Sequence, residues 1–412
     1  MYKDFFQLKS VSSLRELSFS FPVTAEQECA LESAPGRVLA QKFYADCDWP
    51  MHSRSSMDGF AVRAADTFGA GEFSPAYLDI TSEVRIDRPP NTDIQPGGCA
   101  RIVTGGILPD SADAVVMFEQ TKEMGDGCLE VRKPVAPGEN IMLRSEDATQ
   151  GDLLLSPGTR IGFRESGLLA AFGGHRVRVY RPPAVGIIST GDEIIAVDQR
   201  PTPGLVRDVN RYALVALVRE CGANPVCYGA VPDDYQALLE AVSRAAEEND
   251  VVLISGGSSV GTRDLTVKVL EGRPGSRILA HGVALSPGKP TILSDFSSKA
   301  VWGLPGQVGS AQVVMLVLVQ PFLRCIGGEK DPLAALESRL CPAVLGRNTA
   351  SAPGREDYIR VSLQEEGKGL TAWPVTGKSG LLRTMIRSAG MIRIPASREG
   401  LSQGEQVKVF RF

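Results

Sequence analysis

The sequence predicts a multidomain protein of the α/β plus β class: a doubly wound α/β domain, an inserted β-rich module and a small C-terminal β-barrel. Three observations predict it. From residue 184 to 325 short apolar strands alternate with amphipathic helices, as a parallel sheet covered on both faces requires. Residues 46–147 are rich in Gly and Pro and carry short β-branched runs between turns. Beyond Gly327-Gly328, β-type runs recur at 358–363, 370–374, 390–394 and 406–412.

A chain of 412 residues exceeds a single core, and a prior of about 100–200 residues per domain allows two to four domains. The expected division is a linker region at 1–45 and 148–181, the β-rich module at 46–147, the α/β domain at 182–328 and the barrel at 329–412. In the linker, 24–40 and 164–172 read as short helices that pair, with Thr24 and Glu28 near the start of the first. In the α/β domain, strands are expected at 185–188, 225–231, 250–255 and 300–304. Helices follow at 210–221, capped by Asn210, at 233–248, capped by Asp233, and at 310–325.

With 43% hydrophobic and 22% charged residues, the composition is that of a soluble globular protein. A net charge of −4 offers no basic field for a nucleic acid backbone, so any anion must be gripped locally. Residues 1–20 mix charged and apolar side chains, unlike a signal peptide, and the longest apolar run, 313–319, is far shorter than the ~20 residues a membrane span needs. Eight scattered cysteines with no C-x-x-C suit free thiols in a reducing cytoplasm. The three histidines, His52, His175 and His281, are far apart in sequence, so an imidazole metal site is not expected. Chemistry must come from carboxylates, hydroxyls, lysine and backbone amides.

In an open α/β sheet, ligands bind beyond the carboxyl ends of the strands. Three loops there have the composition of an anion cradle: Ser189-Thr190-Gly191-Asp192-Glu193, then Ser255-Gly256-Gly257-Ser258-Ser259-Val260-Gly261 followed by Arg263 and Asp264, and Leu304-Pro305-Gly306-Gln307. Glycine lets the backbone approach an anion closely, hydroxyls donate, and a helix start favours negative charge. The same residues also make ordinary tight turns, so each loop alone is ambiguous. Glu193, Asp264 and Asp233-Asp234 fall at the same strand ends, where carboxylates either hold Mg²⁺ beside phosphates or cap helices. Lys289, in Pro287-Gly288-Lys289-Pro290, sits in a rigid turn, and by itself reads as a surface charge. Residues 56–59 and 104–106 are polar turns beside apolar strands.

Taken together, SSMDGFAV, RIVTGG with DAVVMFE, STGDE, SGGSSVG with Asp264, PGKP, LPG and the terminal SGLLRTMIRSAGMIRIP with GEQVKV resemble the molybdopterin molybdenumtransferases, the MoeA proteins and the E domain of gephyrin, over nearly the whole chain. The resemblance implies that the α/β domain is a MogA-like molybdopterin-binding domain. It implies an enzyme that inserts molybdate into adenylylated molybdopterin with release of AMP, assisted by Mg²⁺. It also implies a homodimer whose site is shared between subunits.

By matching motifs, Glu193, Asp264 and Asp233 are the expected catalytic and metal-binding carboxylates, with Asp58 a further catalytic position in the inserted module. Thr104 and Asp147 match substrate positions of that module, and Ser189, Thr190, Gly191, Ser255, Gly256, Gly257, Ser258, Pro305 and Gly306 those of the pterin cradle. Lys289, Arg355 and Ser379 resemble the molybdate shell, where cationic and hydroxyl donors hold an oxyanion. Two departures stand out: Ser286 occupies a position that is usually lysine, and Gln307-Val308 replaces the usual Asn-Pro. Tungstate, with the same charge and similar size, is an alternative oxyanion. An adenylyltransferase acting on the same pterin, and a pterin-binding scaffold without turnover, are the alternative functions.

Overall fold

The computed structural model describes residues 8–256, 260–366 and 369–412, with the backbone alone at 260–264. The chain divides into two compact units: Met1–Gln41 with Pro157–Ser166 and Arg176–Phe412, and Lys42–Ser156 with Gly167–His175.

The larger unit is built on a six-stranded sheet in the order Asn224–Val231, Ala184–Thr190, Val251–Gly256, Lys299–Leu304, Ile292–Phe296, Arg277–His281. The first four strands are parallel and the last two antiparallel, so the sheet is mixed rather than wholly parallel. Strand alternation sorts side chains between two cores. Val185, Ile187, Val251, Leu253, Ala300 and Trp302 pack with Leu214 and Val218 of helix Asn210–Glu220 and with the helix Val308–Ile326. Ile188, Val252, Ile254 and Val301 pack on the other face with Leu238, Val242 and Ala245 of helix Tyr235–Glu248, and with Val269 and Leu270 of helix Val260–Glu271. Helices on both faces make the domain doubly wound, as expected.

Helix Val308–Ile326 is longer than its 313–319 apolar run suggested, and its 19 residues are long and apolar enough to cross a bilayer. It is 83% buried within the fold, however, and carries a π-helical segment at Met315–Val319, so its apolar surface belongs to the core. Trp302, fully buried, tilts against Phe322 of this helix at 5.6 Å between centroids.

The barrel closes through five strands, each paired to the next: Leu340–Leu345, Gly369–Pro374, Glu356–Glu366, Gly390–Ile394 and Gln406–Arg411, which returns to the first. Leu345, Val361, Ala372, Ile392 and Val409 fill it. The short strand Leu285–Ser286 pairs with Glu356–Glu366, setting Ser286 opposite Asp357 and bringing the 287–290 turn to the barrel.

Residues 24–40 form no α-helix, only a single 3-10 turn at Leu31–Ser33. Glu26–Ala30 is a strand, antiparallel to Arg176–Tyr180, with Glu28 paired to Arg176 at 2.7 Å and the Thr24 hydroxyl donating to the Arg181 carbonyl. Tertiary pairing with a strand that buries Val177 and Val179 overrides local helix propensity. The paired-helix expectation therefore fails, although Phe163–Ala171 is helical. Helix Val11–Ser18, capped by the Ser10 hydroxyl, was not anticipated; it buries Val11 and Leu14.

The smaller unit centres on a six-stranded sheet in the order Ala114–Met117, Gly59–Val62, Gly98–Ile102, Ala76–Glu83, Cys128–Val131, Thr121–Gly125. Phe60, Val62, Leu78, Cys99, Val116 and Leu129 form its core. Gly59 is required there, because a Cβ would lie 1.9 Å from the Val116 carbonyl oxygen.

Candidate active site

Strands Ala184–Thr190 and Val251–Gly256 run side by side with Ser189 opposite Ser255 and Thr190 opposite Gly256, so two of the three expected loops leave the sheet together. At Gly256 φ is +148°, and a Cβ would meet the Thr190 carbonyl oxygen at 2.0 Å. At Gly191 φ is +147° and the Glu193 carboxylate folds over the position a Cβ would take, 2.6 Å away. Both loops therefore need glycine to lie this close.

Ser189 and Ser255 are each 2% exposed, and neither hydroxyl has a hydrogen-bond partner among the described residues. An unpaired buried hydroxyl costs about 1–3 kcal/mol, a cost that a ligand accepting from it removes. Both line a cavity of about 220 Å³ together with Thr190, Glu193, Asp208, Asn210 and Gly306. A neighbouring cavity of about 290 Å³ is lined by Gly256, Thr266, Pro305, Gly306, Gln307 and Ser310. Gly256, Gly306 and Gln307 are common to both, so the three loops surround one continuous region.

Asn210 does not cap its helix. Its Nδ2 donates to the Gly306 carbonyl at 2.8 Å, tying the 304–307 loop to the cavity, and its Oδ1 is buried without a partner among the described residues. The helix start is served instead by Asp208, which accepts from the Arg211 N–H at 3.1 Å. Likewise Asp234, not Asp233, caps helix Tyr235–Glu248, accepting from the Ala237 N–H at 2.9 Å. Asp233 turns to the cradle and accepts from the Thr190 hydroxyl at 2.9 Å, while its N–H donates to the Asp192 carboxylate. Asp234→Ala is expected to lower stability by about 1 kcal/mol in a denaturant titration, the worth of a helix cap, and to leave ligand binding unaltered.

Glu193 and Asp233 thus belong to one loop cluster. Gly257 and Ser258 lie outside the described residues, as does the side chain of Asp264 in helix Val260–Glu271. Among the described residues no group of three or more His, Cys, Asp or Glu is placed to hold a metal ion. Glu193 and Asp233 are the described carboxylates of this cluster that could contribute to holding a hard, oxygen-seeking cation such as Mg²⁺.

A third cavity, of about 490 Å³, opens where the barrel meets the 286–287 turn, and includes Ser286, Arg347, Tyr358, Arg360 and Ser379 among its lining. Arg360 donates to the Gly377 carbonyl at 2.6 Å and to the Thr384 hydroxyl, and its partial burial lowers its pKa by desolvation. Guanidinium nevertheless stays charged at any physiological pH. Arg347 donates to the Pro374 carbonyl at 3.1 Å. Arg355 instead pairs with buried Asp357, 3.2 Å from Nε to Oδ1, and neither it nor Lys289 is among the lining residues. Lys289 is exposed in its turn, with its carbonyl accepting from the Val283 N–H. Arg347 and Arg360 are thus the cations that sequence reasoning missed; the available signal was an arginine inside the β-type run 358–363.

In the smaller unit, Asp58 Oδ1 accepts from both the N–H (2.6 Å) and the hydroxyl (2.9 Å) of Thr104, in the turn that Gly105 makes at φ +84°. These two bonds hold its carboxyl below the usual aspartate range. Asp147, exposed, follows the turn in which Arg144 pairs with Asp48 at 2.6 Å. Because the folded pKa of Asp58 is depressed, its bond to Thr104 supports the fold above the unfolded aspartate pKa and is lost as pH falls through the lower folded value. In Thr104→Val the Asp58 midpoint, read by carboxyl NMR titration, is expected to move up toward the ordinary aspartate value; an unmoved midpoint would contradict the assignment.

Comparison with known proteins covers most of the chain. Residues 8–173 match the MoeA N-terminal region (domain I and II), 186–325 a probable molybdopterin binding domain and 342–412 the MoeA C-terminal region (domain IV). A putative molybdopterin biosynthesis protein of Methanocaldococcus jannaschii is 35% identical over 392 residues, 93% of this chain and 92% of that protein. A molybdopterin molybdenumtransferase of Nostoc sp. is 34% identical over 388 residues, 92% of this chain and 87% of the other. The crystal structure of a molybdopterin biosynthesis MoeA protein from Pyrococcus horikoshii superposes with a TM-score of 0.83 at 28% identity, covering 98% of this chain and all of that one.

Proposed function

The chain belongs to the molybdopterin molybdenumtransferase (MoeA) family, enzymes of molybdenum cofactor biosynthesis, and from that premise we propose how its residues divide the work. The cradle formed by residues 189–193, 255–256 and 304–306 takes the phosphate end of adenylylated molybdopterin, and the barrel-side cavity takes molybdate. The observation that carries this reading is the pair of buried, unpartnered hydroxyls, Ser189 and Ser255, at the carboxyl ends of adjacent parallel strands. Each can donate to a phosphate oxygen, while Gly191 and Gly256 let backbone approach it.

Glu193, Asp233 and Asp264 are the carboxylates that would hold Mg²⁺, which supplies charge neutralisation at the bridging phosphates. Asp233 is oriented for this by Thr190. Arg360, fixed by Gly377 and Thr384, and Arg347 hold the oxyanion's charge, with Ser379 as a hydroxyl donor. Lys289 and Arg355 are assigned to the oxyanion on the family resemblance alone, since neither lines the cavity and Arg355 pairs with Asp357. Catalysis on this reading is mainly positioning and electrostatic stabilisation during phosphoanhydride cleavage. Ser286, where a lysine is usual, lowers the positive charge of the cavity toward either oxyanion, and tungstate, with the same charge and similar size, is the alternative to molybdate. A cytoplasmic homodimer with shared sites, in which Asp58, Thr104 and Asp147 serve the partner's cradle, rests on the family resemblance.

The test is to incubate the protein with adenylylated molybdopterin, Mg²⁺ and either oxyanion, and to measure AMP and metal-loaded pterin. Oxyanion-dependent AMP release is expected. Adenylylation of free molybdopterin by ATP would point instead to an adenylyltransferase, and tight binding without turnover to a scaffold.

A further inference from the structure

The segment 307–309 and the 376–380 segment of the barrel are in contact. The Gly309 N–H donates to the Ser379 carbonyl at 3.0 Å, and a Cβ on Gly309 would lie 2.7 Å from that oxygen, so the two backbones are in close contact. Beside this contact the Ser379 hydroxyl donates to Oε1 of Gln307. Gln307 lines both cradle cavities, whereas Ser379 lines the barrel-side cavity. The Ser379–Gln307 hydrogen bond therefore joins a residue of the barrel-side cavity to one of the cradle.

Its direction matters. A hydroxyl donates once, and an oxyanion only accepts. While Ser379 donates to Gln307, it has no proton to offer an oxyanion. A carboxamide has one accepting and one donating end of nearly equal size. With Oε1 toward Ser379, the NH₂ end is the one left for the cradle, where a phosphate would accept from it. With the amide turned over, Nε2 donates to Ser379 Oγ and the hydroxyl proton is released toward the barrel-side cavity, but a carbonyl oxygen then faces the phosphate.

We propose that Gln307 is a positioning residue that couples the two cavities negatively: a phosphate in the cradle holds the amide in the orientation that withholds the Ser379 proton from the oxyanion, and departure of the phosphate leaves the amide free to turn and release it. The proposal rests on the reading of the cavities given above. It assigns a consequence to Gln307, whose side chain is one methylene longer than asparagine and so spans to Ser379.

The experiment is calorimetric titration of the full-length protein with molybdate, with and without saturating AMP. One charge-assisted hydrogen bond is gained or lost, so molybdate is expected to bind about tenfold more weakly to the AMP-loaded protein. In Gln307→Leu, similar in size but without polarity, and in Gln307→Asn, too short to reach, AMP is expected to change molybdate affinity by less than about twofold. In Gln307→Glu, an acceptor at both ends, Ser379 stays committed, and molybdate is expected to bind weakly with or without AMP. Coupling that survives both Gln307→Leu and Gln307→Asn would overturn the proposal alone, as would its absence from a wild-type protein that binds both ligands. Failure of molybdate or AMP to bind wild type, or unchanged molybdate affinity in Ser379→Ala, would overturn the reading of the cavities and the proposal with it.

Discussion

Asp233→Asn is expected to lower oxyanion-dependent AMP release by about 10²–10³-fold, the usual cost of deleting one preorganised electrostatic contact in an active site. Asparagine has the same shape and retains an oxygen to accept from the Thr190 hydroxyl, so the loop geometry set by that 2.9 Å bond should persist. The variant loses charge, not architecture. KM for adenylylated molybdopterin is expected to stay within about threefold of wild type, because the loss falls on the transition state rather than on ground-state binding. Unaltered turnover would remove Asp233 from the catalytic set and return it to the part of a loop-stabilising residue.

Gly256→Ala is expected to have the largest structural effect of any single methyl group in the α/β domain. The added Cβ would stand 2.0 Å from the Thr190 carbonyl oxygen and 2.8 Å from its Cγ2, at a φ of +148° that alanine rarely adopts. Left-handed strain and overpacking together should cost more than about 3 kcal/mol. Because Thr190 sits on the partner strand of the cradle, relief by separating the loops would also displace Ser189 and Asp233, and pterin binding should fall with stability. Gly204→Ala is the control: its φ is +91°, but nothing lies within 4 Å of the added atom. There a loss of about 1–2 kcal/mol is expected, with binding intact. Equal melting temperatures for the two variants would contradict the steric account of the cradle.

Sequence made the central strands of the α/β domain, 184–190, 251–256 and 299–304, legible because they are buried on both faces and read as apolar runs, whereas the antiparallel strands Arg277–His281 and Ile292–Phe296 were not read. The barrel was readable for a related reason at four of its five strands, whose runs each bury one face, while Leu340–Leu345 was not read. The linker was not. Residues 24–40 carry helix-compatible spacing, and nothing local announces that Glu28 and Arg176, far apart in sequence, will pair across two strands. Asp233 and Asp234 show the same limit at a finer scale. Adjacent aspartates before a helix are interchangeable in sequence, and only the position of Thr190, brought by a neighbouring strand, separates cap from site. In the barrel-side cavity, Arg355 carried the family pattern, yet the buried Asp357 carboxylate two residues on claims it. Arg360 lines the cavity because Gly377 and Thr384, from a separate segment, fix its guanidinium there. Such choices depend on which side chains long-range topology brings within reach.

Hydrogen exchange with and without adenylylated molybdopterin tests most directly whether the cradle holds the phosphorylated pterin. On this account protection rises at 189–193, 206–210 and 304–310, where backbone and side chains line the two α/β cavities. Protection confined to the barrel strands or to the smaller unit, with those three segments exchanging as in the free protein, would contradict it.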